Sequence, residues 1–90
     1  MIHRKITVKG RVQGVYFRAT ARSIAVKLGL KGAVKNLLDG HVWIAAEGPE
    51  EAVQEFIDWC RIGPTGALVT SLDVEEAAPV HYEGFEILHE

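Results

Sequence analysis

Apolar and polar residues alternate at the start of the chain: Ile2, Ile6, Val8 and Val12 point one way, and Lys5, Thr7, Lys9 and Arg11 the other. A period of two predicts a half-buried strand. Gly10 and Gly14 bracket a loop, after which Phe17, Thr20, Ala21, Ile24, Ala25 and Leu28 recur at helical spacing as far as Gly29. That glycine stands where the left-handed cap of a helix C-terminus belongs. Two further strands, about Lys31 to Asn36 and His41 to Glu47, meet across Asn36-Leu37-Leu38-Asp39-Gly40. The Asp-Gly pair is a hairpin signal.

Gly48-Pro49-Glu50-Glu51 opens a second helix, with proline placed at the first helical position and carboxylates beside the positive end of the dipole. Its buried stripe is Val53, Phe56, Ile57 and Cys60, and Gly63-Pro64 ends it. Val69 to Val74 reads as a fourth strand and Gly84 to Leu88 as a short fifth. The order strand, helix, strand, strand, helix, strand, plus a terminal strand, predicts an α+β fold. Right-handed crossovers put both helices on one face of an antiparallel sheet. This is the ferredoxin-like split βαββαβ sandwich, an architecture that hosts many unrelated functions.

No repeat or linker interrupts residues 1–90, so the chain is expected to form a single domain. No apolar run approaches the roughly 18 residues of a membrane span, and the N-terminus lacks a signal-peptide apolar block. A cytoplasmic protein is expected. The single cysteine, Cys60, cannot form an internal disulfide and lies on an apolar helix stripe, which makes it a core thiol. Charge is divided along the sequence: nine of the ten basic residues precede Asp39, while all twelve carboxylates lie at Asp39 or beyond. Either the first half offers a positive surface to an anion, or the two halves interleave and pair their charges.

Chemistry concentrates in the loop Gly10-Arg11-Val12-Gln13-Gly14-Val15-Tyr16-Phe17-Arg18, which joins a strand to a helix N-terminus. Free backbone N–H groups and the helix dipole favour an anion there. Arg18 sits at the unfavourable end of that dipole, a cost of a few tenths to about 1 kcal/mol that a bound phosphate would reverse. Its guanidinium can also grip two phosphate oxygens together. The loop lacks the Gly-Lys-Ser/Thr ending of a nucleotide P-loop and lacks a cysteine nucleophile. His3, His41, His81 and His89 have no zinc-like spacing and no tight acidic cluster prescribes magnesium, so no metal and no cofactor is expected. Water is then the nucleophile of any hydrolysis.

The chain resembles the acylphosphatases. Gly10-x-Val12-Gln13-Gly14-Val15-x-Phe17-Arg18 is similar to that family's phosphate loop, and Gly32-x-Val34-x-Asn36-x-x-Asp39-Gly40-x-Val42 to its asparagine-bearing hairpin. Glu47-Gly48, Gly63-Pro64-x-x-Ala67 and Phe85-x-Ile87 match further signatures. The resemblance implies metal-independent hydrolysis of the carboxyl-phosphate anhydride bond of small acyl phosphates. Arg18 and the backbone N–H groups of Gln13, Gly14, Val15, Tyr16, Phe17 and Arg18 would hold the phosphate, and Asn36 would orient the attacking water. It also implies five antiparallel strands in the order 4-1-3-2-5. Read without the family, Asn36 better fits a residue that bonds its own hairpin. Asp39 and Gly40 fit turn formers.

Three positions depart from the family pattern: Ala33 where an aromatic is frequent, Leu37 where a polar residue often follows the asparagine, and Leu68 where arginine is common. They bear on substrate fit and rate. The partners expected are an acyl phosphate substrate and inorganic phosphate as product, with the protein a monomer. The alternatives are a phosphate-binding module without turnover and a nucleic-acid-binding module on the same fold. The aromatic-rich sheet signature of RNA-recognition domains is missing, which argues against nucleic acid. Trp43, out of phase with Val42, Ile44 and Ala46, is expected on the helix-free face of the sheet.

Overall fold

A computed structural model describes residues 1–89. The elements are β1 (Ile2–Arg11), α1 (Phe17–Lys27), β2 (Lys31–Asn36), β3 (Val42–Gly48), α2 (Glu50–Cys60), β4 (Leu68–Ala77) and β5 (Phe85–Leu88). They form one five-stranded sheet in the order β4-β1-β3-β2-β5, as the resemblance implied. Helix α1 lies over β2 and β5, α2 lies over β1 and β3, and the helices touch each other. Between them and the sheet lies a core that includes Ile6, Val8, Val34, Ile44, Phe17 and Phe56.

One expectation fails. The sheet is mixed, because β5 runs parallel to β2, with Gly32 opposite Phe85 and Lys35 opposite Leu88. The cause is the connection after β4. Strand β4 ends at one edge of the sheet and β5 occupies the other, so the chain between them crosses the whole sheet and re-enters from the end that β4 has just reached. Since β1 and β2 are each antiparallel to β3, the three strands β1, β2 and β5 run in one direction. Their C-terminal ends share one end of the sheet.

The crossing segment covers one end of the face opposite the helices. His3 and Glu47 face each other in the β1–β3 register, out of phase with the core residues Ile6 and Ile44, yet both are buried. The Glu47 carboxylate accepts the backbone N–H groups of Val80, His81 and Tyr82. His3 Nδ1 donates to the Ala78 carbonyl at 2.9 Å. Burial alone would raise the Glu47 carboxyl, but the three N–H donors and His3 outweigh it and hold the group below its ordinary value. Trp43 is on this same face, half-buried, with the Lys35 ammonium 5.1 Å from its ring centroid.

Smaller differences have local causes. Pro49 is the N-cap residue rather than the first helical one: at φ −59° and ψ 143° it is extended, while its carbonyl already accepts Val53 N–H. Strand β4 runs three residues past Val74 because β1 supplies partners as far as His3 opposite Ala77. That pairing also answers the question of charge, since the basic first strand lies beside the acidic fourth. Lys9 reaches Asp73 at 2.8 Å and Arg4 reaches Glu76 at 3.5 Å. Cys60 is buried as expected, and burial pushes its thiol far up.

Candidate active site

The site forms where β1, β2 and β5 end together and α1 begins. Sequence shapes the loop between β1 and α1 by anchoring every second or third residue. Val12 and Phe17 are buried, Val15 packs against the core, and the Phe17 ring lies 5.4 Å from that of Trp59. Gly14 and Tyr16, between the anchors, are exposed. Gly14 has φ +74°, which a glycine adopts freely. Tyr16 adopts φ 60° and ψ 27° as the N-cap of α1, a left-handed conformation uncommon for a bulky side chain.

The loop leaves its amides open. Among the described residues, no intramolecular hydrogen bond takes up a backbone N–H from Gln13 through Arg18. No side chain caps α1, and no acidic residue lies in its first turn. This is the anion-seeking end of a helix in the state that a phosphate would satisfy.

A cavity of about 500 Å³ opens over this end. Gly14, Tyr16, Phe17 and Arg18 line it together with Asn36 from β2, and Ile87 and His89 close it from the β5 side. Arg18 and Asn36 also line an adjoining recess with Gln13, Leu37, Leu38 and His89. Five of the seven residues singled out from the sequence thus share the main cavity. Gln13 borders only the recess, and Val15 borders neither because its side chain is spent on the core.

Asn36 and Asp39 separate in role. The Asp39 carboxylate accepts the His41 N–H at 3.0 Å, the expected work of a turn-forming aspartate. Asn36 makes no such bond: among the described residues its side-chain amide has no hydrogen-bond partner, and it stands at the end of β2 opposite Val42. The reading in which Asn36 serves its own hairpin therefore fails. Of the three departures from the family pattern, Leu37 borders the recess, whereas Ala33 is buried in the sheet and Leu68 is exposed at the start of β4.

Two contributions were not read from the sequence. The Gln13 side chain turns to the hairpin, donating from Nε2 to the carbonyls of Leu37 at 2.7 Å and His41 at 2.9 Å. It locks the loop between β1 and α1 to the turn that follows Asn36. His89 enters from the chain end, with its Nδ1 3.3 Å from Arg18 Nη1. Neither had a periodic signal, because one depends on a loop meeting a turn and the other on the parallel course of β5.

Comparison with known proteins agrees with this geometry. A family model described as acylphosphatase matches residues 4–87. The chain is similar to an acylphosphatase of Gloeobacter violaceus, 49% identical over 83 residues that cover 92% of this chain and 89% of the relative. Its fold is similar to the crystal structure of acylphosphatase from Bacillus subtilis, with a TM-score of 0.95 at 42% identity over 98% of this chain and 99% of that one. An acylphosphatase structure from Coxiella burnetii gives a TM-score of 0.94 at 36% identity, covering 97% of this chain and 92% of that one. Motifs, strand order and nearly full-length similarity agree, and the chain belongs to the acylphosphatase family.

Proposed function

We propose that the protein hydrolyses the carboxyl-phosphate anhydride bond of small acyl phosphates, with Arg18 and the open amides of residues 13–18 holding the phosphoryl group and Asn36 orienting water. The observation that carries this is the convergence of Arg18, Asn36 and the unsatisfied loop on one cavity. Water oxygen attacks phosphorus and the bond to the bridging oxygen breaks. The bonding electrons leave with the carboxylate, and the proton of the attacking water passes to solvent or to a phosphate oxygen. Because carboxylic acids of this kind have pKa values of about 4 to 5, the leaving group departs without a general acid. The protein's task reduces to position and to charge on the equatorial oxygens, which a fixed guanidinium and amide cradle supply.

No helix is long and apolar enough to cross a membrane among the described residues. Action as a cytoplasmic monomer belongs to the same proposal, and the one cysteine, Cys60, is free and buried, as suits a reducing compartment. The test is hydrolysis of a simple aryl acyl phosphate by chelator-treated protein, with a phosphate monoester in parallel. Metal-free turnover of the acyl phosphate alone supports the reading. Absence of turnover in folded protein would leave a phosphate-binding module, and rapid monoester hydrolysis would overturn the leaving-group argument.

A further inference from the structure

We propose that His89 is a positioning residue for Arg18: its Nδ1 accepts from the guanidinium at the cavity wall, so that the cation is already ordered when a phosphoryl group arrives. The inference rests on the reading of Arg18 as the phosphate ligand. Helix α1 presents Arg18 and Arg22 one turn apart, and both reach β5. Arg22 Nε donates to the Phe85 carbonyl at 2.9 Å, which ties the start of β5 to the helix. Arg18 Nη1 lies 3.3 Å from His89 Nδ1 and 3.5 Å from the Leu88 carbonyl, at the end of the same strand. Pairing of Leu88 with Lys35 and packing of Ile87 against the core fix where that end lies. His89, which follows this anchored strand directly, is thereby placed at the cavity beside Arg18.

The chemistry of the contact has one sense. A guanidinium only donates, so Nδ1 accepts and the ring proton of neutral His89 is on Nε2. Arg18 has five N–H groups, and this contact occupies one nitrogen while the rest of the fork stays available for phosphate. A free arginine must be ordered on binding, at roughly 0.5–1.5 kcal/mol for a rotamer-rich side chain, or about two- to tenfold in affinity. Holding it beforehand removes that cost equally for substrate and product phosphate. The expected signature is a change in binding with the chemical step left alone.

The experiment compares wild type with H89F, which keeps a ring but loses the acceptor, and with H89N, whose amide oxygen takes the place of Nδ1 beside Cγ. Inorganic phosphate affinity is measured by calorimetry, and kcat and KM with an aryl acyl phosphate. For H89F the phosphate Kd and the KM should rise together by roughly two- to tenfold with kcat within about twofold, and H89N should recover most of the loss. Unchanged phosphate affinity in H89F, H89N as weak as H89F, or a fall in kcat alone would each overturn the proposal. R18A separates the two levels. If R18A abolishes phosphate binding and H89F leaves it intact, only the role of His89 fails; if R18A itself binds phosphate normally, the reading of the site fails.

Discussion

The two ends of the sheet handle negative charge in opposite ways. At the end where β4 meets the crossing segment, three consecutive backbone N–H groups, from Val80, His81 and Tyr82, close on a carboxylate that the chain itself provides. At the other end the amides of residues 13–18 have no internal acceptor among the described residues, and the polar side chains beside them include a cation, Arg18, and a neutral amide, Asn36. One end is complete and therefore structural. The other has no acidic side chain in its lining, and in the proposed reaction the substrate supplies the anion. The same backbone chemistry builds a joint in one place and a binding site in another, and the difference is whether an acidic residue lies within reach.

The largest effect should come from removing the cation at the open end. For Arg18→Ala, turnover is expected to fall by at least roughly 10²- to 10³-fold, the range for loss of one strong donor to developing charge. Phosphate binding should be lost with it, since among the described residues Arg18 is the one arginine or lysine that lines the main cavity. Calorimetric titration with inorganic phosphate checks this, and normal affinity would mean that the open end is not the anion site. Asn36→Ala should cost roughly 10²-fold in kcat while phosphate affinity survives, because the amide is assigned to water and not to the bound anion. A parallel loss of phosphate binding would instead make Asn36 part of the cradle.

The closed end should respond in stability and not in chemistry. Glu47→Gln keeps one acceptor oxygen but turns an NH₂ group toward N–H donors in a buried place, at a cost of about 1–3 kcal/mol. Each kcal/mol corresponds to roughly 4–8 °C in Tm for a domain of this size. Activity per folded molecule should stay near that of wild type. The pH dependence has a definite sign: the folded carboxyl is held below its ordinary value, so its contribution is present above the ordinary carboxyl pKa and is lost as pH falls through the lowered one. Urea midpoints from pH 7 down to pH 3 should fall less steeply in Glu47→Gln than in wild type, and parallel curves would remove Glu47 from acid unfolding.

This contrast also marks what the sequence could and could not convey. Periodicity located β1, α1 and the β2–β3 hairpin to within a residue or two, because each buries one face over a local run. Arg18 drew notice by its place at a helix N-terminus and Asn36 through the family resemblance, which also implied the strand order that brings both to one cavity. The closed end was not legible. Glu47 sits in the alternation of β3 as a residue of the helix-free face, where a carboxylate normally meets water. Its burial depends on Ala78 to Tyr82 crossing that face, a contact more than thirty residues distant in sequence. The parallel course of β5 and the arrival of His89 follow from the same crossing, so a short strand of four residues carried little warning of either.

The smallest prediction concerns strain, which also differs between the ends. Tyr16 is held in the left-handed region at the open end, with its side chain 85% exposed, so little packing repays the conformation. Bulky residues adopt it at a cost of order 1 kcal/mol, whereas asparagine visits it readily and adds none of the unfolded-state freedom of glycine. Tyr16→Asn should therefore stabilise the fold by up to about 1 kcal/mol, read as a rise in urea midpoint. The loop path is set by the Val12, Val15 and Phe17 anchors and by the Tyr16 carbonyl, which accepts Thr20 N–H and Oγ1–H, and none of these needs the phenol ring. Phosphate affinity should accordingly stay within about threefold of wild type, under 1 kcal/mol. A stabilised variant with weakened phosphate binding would show that the ring rims the anion, and that the open end keeps its strain in exchange for a contact with substrate.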